Sequence, residues 1–418
     1  MRILLHGINY SPELTGIGKY TGEMAQWFAD QGHQVRVVTA LPYYPQWKIT
    51  NNYANKWHLE AVNSIIIFRC PLWVTTNMSG LKRIIHLASF TVTSFPVILS
   101  QIFWRPDVVW VVEPTIFCAP QALLVAKLSG AKACLHIQDF EVDAAFDLGL
   151  LKGEALRNIV LKIKRLLLRM FDQVSTISQN MLNRALSKGV DPDKLVLFPN
   201  WVDLSNFTYS TDNHNPAYRA ELGIPKEAIV ALYSGNMGNK QGLEVLAQAA
   251  NLCGSEIFFV FCGEGTGRDD LVELCKDLNN VLFLGLQPAE RLGEFLTIAD
   301  IHLLPQRADA ADLVMPSKLT GMFASGRPVI AMANVDTELA SVVSERGLVI
   351  EPENAAALVE AITVLASDKA LRATFGAAGR VYAEENLGID AVLSNYEASL
   401  FKLISHKAPT TVNSNSSL

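Results

Sequence analysis

Three glycine-rich stretches carry residue types suited to an anionic diphosphate. The first runs from Gly7 to Gly18 (GINYSPELTGIG) and contains the pair Gly16 and Gly18. The second, Ser234 to Gly242 (SGNMGNKQG), offers Gly235, Asn236, Lys240 and Gln241. The third is Gly263-Glu264-Gly265-Thr266-Gly267. Glycine lets backbone approach a ligand closely. A helix N-terminus presents unpaired N–H groups to an anion, and a lysine adds charge. One such loop is weak testimony, because tight strand–helix turns need glycine for steric reasons alone. Three of them at equivalent strand ends point to phosphate. None is a G-x-G-x-x-G fingerprint, and the first loop is long for a dinucleotide turn.

A second group of residues could work on a substrate hydroxyl. The apolar run Ala133–Ile137 ends in Gln138-Asp139-Phe140-Glu141. A carboxylate just past a strand end can orient a hydroxyl or take its proton, which singles out Asp139. Capping the helix that follows is an equally good use for it. His136 lies two residues before Gln138 on the same strand face and reads as a core histidine rather than a base. Tyr43, Tyr44 and Trp47 in Pro42-Tyr43-Tyr44-Pro45-Gln46-Trp47 have rings that could stack on sugar C–H surfaces, or simply pack between domains. Glu113, which ends another strand, and Glu13, within the first glycine-rich loop, are further carboxylates that could line a cleft.

Short β-rich runs alternating with helical patterns must position these residues, the signature of parallel sheets with crossover helices. Strands are expected near 2–5, 35–39, 65–68, 108–112, 133–137, 174–176 and 195–197, with a helix near 19–31. Tyr20, Met24, Trp27 and Phe28 give that helix its core-facing spacing. The polar run Thr208–Pro216 reads as a linker. Beyond it strands are expected near 229–233, 257–262, 281–284, 301–304 and 329–331, with helices near 243–251, 268–278, 289–299 and 318–324. The fold class is therefore α/β, with a first Rossmann-like domain over 1–205 and a second over 217–375. A C-terminal helix near 376–405 is expected to pack back on the first domain, and the polar tail 406–418 to be disordered.

Composition narrows the function. Half of the 418 residues are hydrophobic and 18% are charged, enough for two cores. The net charge of −6 argues against a nucleic-acid binder. Six scattered cysteines without a C-x-x-C pair read as buried thiols of a reducing compartment. The start, Met1-Arg2-Ile3-Leu4-Leu5, enters a strand with no signal-peptide layout, so a cytoplasmic location is expected. Ile84–Trp104 is apolar enough to raise a membrane span, but His86, several Ser and Thr, and Pro96 favour a buried helix. Arg157–Phe171 (RNIVLKIKRLLLRMF) mixes five cations with a broad apolar face. That suits either a solvated helix packed on a core or one lying on an anionic inner-membrane surface, which becomes a candidate partner.

The stretch DLVMPSKLTGMFASGRPVI, Asp312 to Ile330, resembles the signature of glycosyltransferase family 4. These are retaining enzymes of the GT-B fold, in which two Rossmann-like domains face each other across a cleft. Asp300-Ile301-His302-Leu303-Leu304-Pro305 and Gly263-Glu264-Gly265 resemble the same family in the expected order. HGINYSPELTGIGKY and LPYYPQW resemble its exopolysaccharide and O-antigen branch, fucosyltransferases of colanic acid assembly above all. The resemblance implies that the C-terminal domain holds a GDP- or UDP-sugar, GDP-fucose being the expected donor. It implies an N-terminal domain that offers a lipid-linked or soluble oligosaccharide acceptor, and no metal or other cofactor. The leaving phosphate would assist the attacking hydroxyl. Pro316, Ser317 and Lys318 take donor-binding roles, and Gln138 with Asp139 stands where the family has a His-Asp pair that positions acceptor or sugar.

The departures bear on function. The family's E-x7-E carboxylates would fall on Leu313 and Gly321, with Asp312 one residue away from the first. Its Arg and Lys after the first strand of the second domain fall on Asn236 and Gln241. Lys240 and Lys318 are then the cations left to neutralise a diphosphate, unless both are solvated surface lysines. Two other functions stay open: a sugar-nucleotide epimerase, which would need more clustered acids and bases, and an inactive nucleotide-sugar-binding scaffold of a polysaccharide synthesis complex.

Overall fold

The chain opens on β1 (Arg2–His6), whose Ile3, Leu4 and Leu5 are all buried. Burial without alternation is the mark of a parallel strand covered on both faces. The computed structural model describes every residue except 14–15, 77–79, 114–115, 140–153, 208–214, 239–240, 309–314 and 406–418. After β1 come α1 (Gly16–Asp30), β2 (Gln34–Ala40), β3 (His58–Val62), β4 (Ile65–Cys70), α2 (Gly80–Ser100) and β5 (Val108–Glu113). Then follow α3 (Ala119–Ser129), β6 (Lys132–Ile137), α4 (Glu154–Met170), β7 (Gln173–Thr176), α5 (Gln179–Ser187) and β8 (Leu195–Leu197). They build one sheet in the order β3-β4-β2-β1-β5-β6-β7-β8, parallel except for β3 against β4. The sequence pattern missed β3 because none of its five residues is buried, so it shows no apolar face.

The second unit contains α6 (Pro216–Glu221), β9 (Ile229–Ser234), α7 (Glu244–Leu252), β10 (Ile257–Cys262), α8 (Arg268–Leu274), β11 (Val281–Leu284) and α9 (Leu292–Leu296). It continues with β12 (Ile301–Leu304), α10 (Lys318–Ala324), β13 (Val329–Met332), α11 (Glu338–Val343), β14 (Gly347–Ile350), α12 (Ala355–Ser367) and α13 (Lys369–Asn386). Its sheet is parallel in the order β11-β10-β9-β12-β13-β14. Along β9, Val230 and Leu232 enter one apolar cluster while Ala231 and Tyr233 enter the other. The sheet thus has a core on each face, and two Rossmann-like α/β domains are observed as expected.

Some expected boundaries shift. The helix near 289–299 is a short 3-10 turn, Ala289–Arg291, followed by α9, and the one near 268–278 stops at Leu274. The helix near 376–405 is two helices, α13 and α14 (Ile389–Ser405), broken around Leu387 and Gly388. α13 packs on α10 in the second unit. From Leu393 on, α14 belongs to the first, where Tyr396 Oη accepts from Trp110 Nε1 at 2.9 Å and Glu397 meets His33 Nε2 at 2.6 Å. All six cysteines are free thiols, and five are buried. The proposed linker and the polar tail lie outside the described residues or at their edge.

Candidate active site

In the second unit the strand order reverses between β9 and β12. Open parallel sheets bind ligands beyond the carboxyl ends of such strands. The loop leaving β9 starts at Gly235 with φ +147°, and the loop leaving β10 carries Gly263 and Gly265 at +149° and +150°. Side chains rarely tolerate this backbone. The two loops are stitched together: Gly235 N donates to Cys262 O (3.0 Å), Met237 N to Glu264 O (2.9 Å) and Gly267 N to Met237 O (2.7 Å). A Cβ on Gly263 would overlap the Gly235 carbonyl oxygen, and one on Gly265 would lie 2.5 Å from that of Met237. The glycines are therefore demanded by loop-on-loop packing, and that packing fixes the loop that borders the crevice.

Lys318, the first residue of α10, reaches the same loop. Its Nζ donates to Tyr233 Oη at 3.2 Å and lies 4.4 Å from that ring's centroid. A Cβ on Gly235 would stand 3.2 Å from it. Tyr233 Oη in turn donates to the Asn236 carbonyl at 2.6 Å. Lys318 is partly buried, and burial pushes its pKa down to about 8. Among the described residues no carboxylate pairs with it. A partly desolvated cation left with a phenol oxygen is poised for an incoming anion. Around it, Asn236 and Glu264 are exposed, Pro316 is partly buried and Ser317 exposed. Gln241 Oε1 is buried without a hydrogen-bond partner. Lys240, Asp312 and Leu313 lie outside the described residues.

Other signature residues are structural. A Cβ at Gly321 would face Leu296 Cδ1 at 2.9 Å and Phe207 Cζ at 4.0 Å, so the position left without a glutamate points into apolar packing. Asp300 Oδ2 accepts from Arg219 Nη2 and Val230 N, both at 2.8 Å. His302 Nε2 lies 2.9 Å from Ser325 Oγ, and burial pushes its pKa down to about 3, which keeps it neutral.

In the first unit the order reverses between β1 and β5. Gly16 opens α1 with φ +60°, but the space beside Gly18 is taken by Glu13, whose Oε2 would lie 2.6 Å from an added Cβ. Glu13 is buried and braces two loops. Its Oε1 accepts from Tyr43 N (3.1 Å) and Tyr44 N (3.0 Å), and its Oε2 accepts from Asn9 Nδ2 (2.9 Å). Burial raises its pKa against the pull of those hydrogen bonds. This brace holds the aromatic group: Tyr43 and Tyr44 stand 5.5 and 6.0 Å from Trp47, and Arg83 lies over the Trp47 ring at 4.7 Å. His86 joins them 4.7 Å from Tyr43, with its Nε2 buried and unpartnered. Tyr43 is buried, whereas Tyr44 and Trp47 keep part of their surface.

Gln138 and Asp139 sit at the carboxyl end of β6, both partly buried. Gln138 Nε2 donates to His136 Nε2 at 2.9 Å, and His136 Nδ1 faces Ser175 Oγ at 3.0 Å. That arrangement places the ring proton on Nδ1, donating to Ser175. Burial holds the ring near pKa 3, and it stacks on Trp110 at 5.5 Å, as a core histidine would. Glu113 does not line an open surface: it is fully buried, its Oε1 2.9 Å from Lys164 Nζ on α4. Sequence reasoning missed Lys164, Tyr233, Arg83 and His86. Only Tyr233 left a signal, as the last large residue of a strand before a glycine loop.

Comparison with known proteins fits this arrangement. Residues 15–201 match the family described as "Glycosyl transferase 4-like domain", and residues 214–382 match "Glycosyl transferases group 1". WcaI of Escherichia coli (strain K12), whose name assigns it provisionally as a glycosyl transferase of colanic acid biosynthesis, is 42% identical over 95% of this chain and 98% of its own. The chain belongs to glycosyltransferase family 4. Solved structures show the fold of this family 4 glycosyltransferase. Sucrose-phosphate synthase from Thermosynechococcus elongatus superposes with a TM-score of 0.76 at 18% identity, over 97% of this chain and 99% of that one. HepE of Anabaena in complex with UDP and glucose gives 0.69 at 14% identity, over 96% and 100%. The glycosyltransferase thus has the GT-B fold expected from its sequence.

Proposed function

We propose that this glycosyltransferase holds a nucleotide diphosphate-sugar on its second unit and transfers the sugar to a lipid-linked oligosaccharide intermediate of exopolysaccharide assembly. Colanic acid is the polymer, and L-fucose from GDP-fucose is the sugar. The observation that carries the donor site is Lys318 Nζ, set against the Gly235 loop with its pKa lowered and no described carboxylate beside it. Its ammonium would neutralise the diphosphate as the glycosidic bond to the leaving phosphate breaks. The backbone of the Gly235–Met237 segment would lie along the phosphates. Pro316 and Ser317 lead into the helix that delivers Lys318, and Gln241 follows Gly235 and Asn236 in the sequence, with Lys240 beside it in the chain as a second candidate cation. The polymer rests on the likeness to WcaI, and the donor sugar on the resemblance of the HGINYSPELTGIGKY and LPYYPQW stretches.

On the first unit, Tyr44 and Trp47 would stack on the acceptor, with Glu13 holding their loop. Asp139 would orient the attacking hydroxyl, and Gln138 would set the neighbouring His136 in one tautomer. The route needs no metal, since the diphosphate charge is met by a lysine and by backbone N–H groups. Calorimetric titration with GDP, UDP and ADP, with and without Mg²⁺, tests the reading. Metal-independent GDP binding weakened by Lys318→Ala supports it. Preference for UDP, the nucleotide held by HepE, would discard fucose while keeping the reaction. Absence of nucleotide binding would leave the scaffold as the better account.

A further inference from the structure

Helices α2, α3 and α4 form one layer of the first unit: α2 packs on β2, β4 and α3, and α3 packs on β5, β6 and α4. The three helices carry eight lysines and arginines against a single carboxylate, Glu154, in a chain whose net charge is −6. Much of their outward surface is nonetheless apolar. On α2, Leu81, Ile85, Val92 and Phe95 are exposed at helical spacing, and Phe103 beyond it is 90% exposed. Exposed Trp57 is pinned beside this stripe by its Nε1, which donates to Thr93 O at 3.1 Å. α3 adds exposed Leu124 and Leu128.

On α4 the outward arc divides lengthwise, as about 100° per residue requires. Ile163, Leu166 and Met170 form one half, and Lys162, Arg165 and Arg169 the other. Lys164 and Leu168 turn inward. A core helix of a water-surrounded unit buries its apolar stripe and shows polar residues outside. Here an apolar stripe is left outside as well. Gly80–Trp104 is long and apolar enough to cross a membrane, but its other face is committed to the unit. Ser94 Oγ lies 3.3 Å from His6 Nε2, and His86 Nδ1 lies 2.7 Å from Trp73 O.

We propose that this three-helix layer docks on an anionic phospholipid bilayer without crossing it. The outer stripe of α2 and Ile163, Leu166 and Met170 enter the acyl boundary, while Lys162, Arg165 and Arg169 meet the headgroups. Charge decides between a bilayer and a second copy of the chain: self-pairing of the three helices would set their cations against cations with Glu154 as their one carboxylate. This surface stands on observations separate from the donor site.

The test is co-sedimentation of the full chain with phosphatidylglycerol-containing vesicles and with pure phosphatidylcholine vesicles, at low and high salt. Binding to the anionic vesicles, weakened by salt and by their replacement, is expected. Lys162→Gln with Arg165→Gln should lower partitioning about 25-fold, since each cation near an anionic surface contributes roughly a fivefold factor. Val92→Ser with Phe95→Ser should weaken binding while leaving its salt dependence and nucleotide binding intact, which excludes misfolding. Equal binding to both vesicles, or none to either, overturns the proposal. So does a doubled mass in light scattering that Phe95→Ser reduces to a monomer, which would make the face a dimer interface.

Discussion

If Lys318 meets the donor diphosphate, nucleotide binding must draw a proton onto it above neutral pH. With a pKa of about 8 in the free protein, its protonated fraction falls from about nine-tenths at pH 7 to about one-tenth at pH 9. Affinity for a GDP-sugar should then fall about tenfold over that interval, because only the ammonium neutralises the phosphates. A nucleotide-sugar is the right probe, since its phosphates hold constant charge there. Lys318→Gln should bind roughly 10- to 100-fold more weakly at pH 7, the loss of hydrogen bonds to a charged group, and its affinity should be flat with pH. Calorimetry near pH 8 in two buffers of different ionisation enthalpy should show about half a proton taken up per nucleotide by the parent and none by the variant. The free protein offers a second check with the sign worked out. The native lysine value lies below the unfolded one, so between pH 8 and about 10 the unfolded chain binds more protons and native stability rises with pH. Lys318→Gln should remove that rise. Identical pH profiles for parent and variant would refute the assignment of Lys318.

Other outcomes follow from particular contacts. Gly263→Ala forces a Cβ into the Gly235 carbonyl at φ +149°, so urea unfolding should show a loss of about 2–5 kcal/mol. Gly321→Glu, which restores the family's carboxylate, should lower the melting temperature and add no nucleotide affinity, because its side chain would start toward Leu296 and Phe207. Lys164→Met leaves buried Glu113 without its cation and should cost about 3–5 kcal/mol in denaturant titrations, largely recovered by adding Glu113→Leu. Gln138→Glu replaces a donor to His136 Nε2 with an acceptor. NMR should show the His136 pKa rising from about 3, with kcat falling more than donor affinity.

Much of this was legible in the amino-acid order. Short continuous apolar runs and period-3.6 apolar patterns determine which segments become strands and helices, and alternation of the two kinds forces parallel sheets. Glycines after β9 and β10 announced loops where side chains do not fit, and the run from Pro316 to Pro328 announced the family. Tertiary structure alone decided what those residues touch. Gly18 reads as room for a ligand, yet that room is filled by Glu13; Glu113 reads as lining a surface, yet Lys164, far along the chain, buries it. Gly321 reads as a missing carboxylate of the family, yet its position faces an apolar core. Lys318 reads as one of two equivalent lysines, and only its place against Tyr233 and Gly235 lowers its pKa. The physical reason is common to all four. Hydrophobic periodicity is a local property that repeats along the chain, whereas contacts between strand-end loops depend on strand order. Strand order is set by which apolar faces pack together, and it has no signature at any single residue.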